Sequence, residues 1–150
     1  MGRSAVWLLA LWCACAMACR DRDVLTASYA TLEEAAAEGA IARDRLPDGL
    51  PPGTREIRIA YDDASHRRWG LFDFPAMEGE VLQRLLSREV PFEGLRCDPP
   101  RRIEWWPVQL RGHLDAERLV STGLRAYEAG ELIIAVHWQQ GRAYYWTRDS

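Results

Sequence analysis

Two common residues are missing from this 150-residue chain, which has no lysine and no asparagine. All 19 basic residues are therefore arginine. Without asparagine there is no Asn-X-Ser/Thr glycosylation acceptor. Lys and Asn share A-rich codons, so their joint absence reads as the mark of a GC-rich bacterial genome. A basic excess is missing as well. The 19 arginines face 22 acidic residues for a net charge of −3, which argues against a nucleic-acid partner. Histidine is scarce, with 3 in the chain and none in a ligand-type HxxxH pair. GxSxG, SxxK, HExxH and glycine-rich phosphate-loop strings are all absent. No catalytic residue, metal ligand or cofactor is therefore assigned, and an enzyme is the less favoured reading. Long apolar runs are also lacking. The stretch from Ala5 to Ala18 would make a helix of about 21 Å, short of the roughly 30 Å hydrocarbon core of a bilayer.

That stretch is nevertheless the most informative in the chain. Arg3 precedes it, Ala16-Met17-Ala18-Cys19 ends it, and Arg20-Asp21-Arg22-Asp23 follows at once. A short basic start, an apolar run and small residues at the end predict a secretory signal peptide over residues 1–18. Small residues directly before a cysteine are similar to the cleavage box of bacterial lipoproteins, with Ala16 where that box usually has Leu. Cys15 fits less well, because Trp12 stands at the corresponding position. Cys19 is thus expected to be the acylated N-terminus of the mature protein. Each buried methylene contributes about 0.8 kcal/mol, so one acyl chain binds marginally and two or three hold stably. Arg20, in place of the Asp that often retains lipoproteins at the inner membrane, leans toward the outer membrane. Cleavage after Ala18 without acylation is the competing reading, and it gives a soluble secreted or periplasmic protein. The 4 cysteines separate the two. Cys13 and Cys15 leave with the signal; an acylated Cys19 leaves Cys97 unpaired, whereas a free Cys19 allows a Cys19–Cys97 disulfide.

The remaining chain is expected to comprise a tether over 19–28 and a single globular domain over 29–150. Thr31-Leu32-Glu33-Glu34 is a capping-box pattern, predicting a helix to about Arg43 with Leu32, Ala36, Ala40 and Ile41 inward. The Pro- and Gly-rich stretch 44–54 reads as a rigid connection. Alternating Ile57, Ile59 and Tyr61 mark a strand over 55–61, residues 62–67 a turn, and 68–74 a returning strand. Met77, Val81, Leu82, Leu85 and Leu86 recur at helical spacing from Pro75 to about Arg88. Residues 92–111 show no regular pattern. Asp115 caps a short helix through Val120, and strands follow from Leu124, over 131–138 and over 143–148. The 131–138 strand is apolar on both faces, which places it centrally in its sheet. Together these predict an α+β domain: an antiparallel sheet of about four to five strands with two main helices on one face.

Few side chains suggest chemistry. His66, His113 and His137 are far apart, and turn or surface positions suit them. Asp62-Asp63 is too sparse a ligand set for calcium and fits a solvated hairpin tip. Glu33 and Glu34 compensate a helix dipole. Cys97 sits between Arg96 and Asp98, whose effects on its thiol oppose one another, and reads as inert. The adjacent Trp105 and Trp106 beside Arg101 and Arg102 are the candidate partner-contact residues, since Trp and Arg concentrate at interface hot spots. Burial of both rings at the core edge is the competing expectation.

The order Tyr29-Ala30-Thr31, Gly39-Ala40-Ile41, Leu46-Pro47, Leu50-Pro51 and a closing aromatic strand resembles a group of small uncharacterised bacterial lipoproteins and secreted proteins. Asp44-Arg45 stands where that group often has Gly-Trp. The resemblance covers most of the mature chain and implies a cell-envelope location, but no activity and no catalytic residues. The favoured expectation is a lipid-anchored cell-envelope binding or interaction module, facing the periplasm, attached to the membrane through its lipid and able to take an envelope protein as partner. The alternative is a small periplasmic enzyme or ligand-binding protein whose site no motif marks. A polar cleft lined by titratable groups would favour the alternative, and a filled core with only surface aromatics the first.

Overall fold

The structure is a computed structural model that describes residues 24–149. The signal peptide over 1–18 and the acylation position Cys19 lie outside the described residues. In chain order the elements are β1 (Val24–Thr31), α1 (Leu32–Ala37), β2 (Arg55–Asp62), β3 (Arg67–Asp73), α2 (Gly79–Gln83), β4 (Arg88–Val90), β5 (Arg96–Cys97), β6 (Gly112–His113), α3 (Ala116–Ser121), β7 (Arg125–Ala129), β8 (Leu132–His137) and β9 (Arg142–Thr147). Seven strands form one antiparallel sheet in the order β1-β2-β3-β9-β8-β7-β4, and β5 and β6 form a small separate ladder.

This corrects the expected α+β architecture. The molecule is mostly sheet, with seven strands in its main sheet rather than four or five. In place of two main helices the described residues hold three short ones of 6, 5 and 6 residues. Both sheet faces are covered, not one.

Each shortened helix has a local cause. Thr31 caps α1 as the capping box predicts, its hydroxyl accepting from the Glu34 amide, while the Glu34 carboxylate accepts from the Ala30 amide at 2.9 Å. Gly39 then adopts a left-handed φ of 83°. Its amide bonds to the Ala36 carbonyl and that of Ala40 to the Ala35 carbonyl, a Schellman stop that ends the helix six residues into the predicted run. Ala35 rather than Ala36 is the buried alanine. The second predicted helix reaches only Gln83 because the chain beyond it is drawn into the sheet. The Ser87 amide donates to the Glu128 carbonyl, and Arg88–Val90 pairs with β7. Met77, the first residue of that helically spaced apolar set, is 91% exposed. Helical spacing was overridden here by an open sheet edge.

β1 begins inside the stretch assigned to the tether. Val24 pairs with Asp62 and Tyr29 with Ile57, so residues 24–28 belong to the sheet edge.

β8 lies between β9 and β7, the inner position its two-sided pattern predicts. Leu132, Ile134 and Val136 enter one core with Ala35, Leu46, Leu50 and Leu82, supplied by the segments that follow β1 and β3. Ile133 and Ala135 enter the other with Trp106, Leu110 and Leu119, supplied by the segment between β4 and β7. The unreadable stretch 92–111 is therefore half of a covering layer. Its backbone lacks a long ladder and is held by short turns, including Ile103 to Pro100 and Leu110 to Pro107.

Candidate functional site

A cleft of about 840 Å³ opens where β1 starts, at the β2–β3 tip, against the loop following β5. Val24, Asp62, Ser65, Arg67 and Trp69 line one side, and Cys97, Asp98, Arg101 and Arg111 the other. Local turn chemistry builds the first wall. The Ser65 hydroxyl donates to the Asp62 carboxylate at 2.6 Å and the Ala64 amide donates to it at 3.0 Å. The Ser65 bond, supported by these backbone amides and by the Arg67 charge, holds the Asp62 carboxyl below its ordinary value. His66 closes the turn with a left-handed φ of 57°. Arg67 then returns across Trp69, its guanidinium carbon 5.3 Å from the ring centroid, and pairs with Asp149 at 2.8 Å.

The second wall is a loop clamped by Arg111. Its guanidinium donates to the Ile103 carbonyl at 2.7 Å and, more weakly, to the Pro100 carbonyl. These bonds fix the loop but leave the positive charge uncompensated. Asp98 is engaged by both arms of Arg96, with one contact at 3.0 Å, and Arg96 also reaches His113 Nε2 at 2.8 Å. Among the described residues, Arg101 and Arg111 have no carboxylate partner. The cleft thus holds two committed carboxylates and two uncommitted guanidinium charges. Such a surface suits an oxyanion. Cys97 is 1% exposed, and burial, with Asp98 adding to it, pushes its thiol far above the ordinary value. A protonated, enclosed thiol is a poor nucleophile.

The candidate contact residues are not one surface. Trp106 is buried at 2% exposure, and its indole N–H donates to the Leu110 carbonyl at 2.7 Å. Its ring stands edge-on to Tyr144 and Trp146 at 6.1 and 6.3 Å, so it belongs to the core and not to a contact face. Trp105 is half-buried and lines a separate depression of about 300 Å³ with Tyr29, Glu56 and Arg58. Arg101 lines the cleft, and Arg102 is exposed. Asp62 and Asp63 part company as well, because Asp63 pairs with Arg45 at 3.1 Å. His137 accepts from the Gln140 amide in the β8–β9 turn.

Sequence reasoning missed Arg67 and Arg111. No local signal could have found them, since the cleft draws on four separate stretches of chain. The nearest hint was Pro99-Pro100 beside Arg101, a stiff segment that holds a charge outward.

No family model, curated protein or solved structure matches the chain.

Proposed function

We propose that the protein is a lipid-anchored cell-envelope binding domain, held through Cys19 and facing the periplasm, that takes an anionic group in the arginine-lined cleft. The outer membrane is favoured by Arg20 after the cysteine. The observation that carries the binding reading is the pair Arg101 and Arg111, lining one cleft whose carboxylates already have partners. This moves the working surface from the Trp105-Trp106 pair to the cleft, and joins the interaction reading to the ligand-binding one. Binding rather than turnover is supported by the enclosed Cys97 thiol and by the Ser65 hydroxyl, which is spent on Asp62.

Titration of the full chain with inorganic phosphate at low salt, followed by tryptophan fluorescence, tests the cleft because Trp69 lines it. Saturable binding should weaken by about tenfold in Arg101→Gln, the scale of one charge-assisted hydrogen bond. Arg101 is exposed and makes no hydrogen bond among the described residues, so the variant should fold normally. Equal binding by the two proteins would remove the cleft from the account.

A further inference from the structure

We infer that the anionic partner of the cleft is the net-negative headgroup of acidic phospholipid in the membrane that carries the anchor, so that this end of the domain docks on the bilayer surface. The inference rests on the proposed Cys19 anchor and on the proposed anion cleft. Chain length supplies the first argument. Cys19 and Val24 are five residues apart, and even a fully extended chain spans at most about 18 Å over that distance. Val24 is itself a wall of the cleft. An acylated Cys19 therefore keeps the cleft within a few headgroup diameters of the lipid and leaves the far end of the sheet outward.

Charge supplies the second argument. Among the described residues Arg101 and Arg111 have no carboxylate partner, and they line the cleft with Arg67, which Asp149 pairs, while Arg102 is exposed in the same loop. Anionic lipid attracts basic side chains held near the surface, and the attraction fades within a Debye length, so it acts only on residues a short tether keeps close. Glu104, an acid in that loop, is not among the cleft residues.

Hydrogen exchange of the full chain reconstituted in vesicles reads this directly, because it reports which face is covered and not merely whether the protein is bound. On phosphatidylglycerol vesicles the amides of 62–67 and of Asp98, Arg101 and Arg102 should exchange about tenfold more slowly than on phosphatidylcholine, while β8 and β9 stay unchanged. Raising the salt, or the double change Arg67→Gln with Arg101→Gln, should abolish the difference. Equal exchange on the two lipids overturns the docking. Inorganic phosphate added to phosphatidylcholine vesicles is the third arm. Protection of the same amides by phosphate, with no difference between the two lipids in its absence, would make the cleft a free-anion site, overturning the docking and leaving the proposed function standing. No protection by either phosphatidylglycerol or phosphate overturns both.

Discussion

Tyr145 lies across Gly70 on the neighbouring strand, its directly paired residue in the β3–β9 ladder. The ring fills the space a side chain on Gly70 would need, and its hydroxyl reaches the Arg45 carbonyl at 2.8 Å. One aromatic thus ties the sheet centre to the Pro- and Gly-rich layer above it. A methyl at position 70 would overlap the ring, so Gly70→Ala should cost about 1–3 kcal/mol, the range for overpacking. In a Tyr145→Leu background the same change should cost much less, since contacting sites are not additive. Urea melts of the four proteins measure this, and equal costs in both backgrounds would contradict the contact.

Ile134 is fully buried on the inner strand β8. Ile134→Ala should cost about 2–5 kcal/mol, a large part of the roughly 5–15 kcal/mol available to a small domain. A mild effect in urea melts would show this strand to be loosely packed.

Trp106 should behave as a core residue. Trp106→Ala is expected to cost about 3–5 kcal/mol through the lost ring and the cavity it leaves. Trp106→Phe should cost less, yet still register the unpaired Leu110 carbonyl. A destabilisation below about 0.5 kcal/mol for Trp106→Ala, the level of an exposed position, would return the residue to the surface.

Stability should fall in alkali. Cys97 and Tyr145 are both buried as neutral groups, with burial pushing each upward from ordinary values of 9.0 and 10.0. Above those values the unfolded chain releases protons that the folded chain keeps, so unfolding is favoured as pH rises. Each group can contribute a slope of up to about 1.4 kcal/mol per pH unit. Urea midpoints should be flat from about pH 7 to 8 and fall above about pH 9. Cys97→Ala should delay the onset. A midpoint unchanged to about pH 10.5 would mean that neither group is held neutral.

The strands were the legible part of this fold because their signals are local. Alternation at Ile57 and Ile59 and the two-sided run Leu132 to Val136 specify strands without reference to the rest of the chain. Both predicted long helices failed for reasons outside their periodicity: Gly39 stops the first, and an edge of β7 captures the end of the second. β1 was hidden because an edge strand with exposed Leu25 and Thr26 needs little apolar patterning. The second core went unseen because Trp106 and Leu110 sit in a stretch of isolated turns broken by Pro99, Pro100 and Pro107, and Leu119 in a helix of only six residues. The cleft was illegible because its arginines are brought together only by the sheet and its covering loop.

Labelled fatty acid fed to cells expressing the protein reads whether the proposed anchor at Cys19 holds this domain at a membrane. The wild-type chain should carry the label, Cys19→Ser should carry none, and Cys97 should be recovered as a free thiol by mass spectrometry. Label that persists on Cys19→Ser, or a peptide carrying an intact Cys19–Cys97 disulfide, would contradict it.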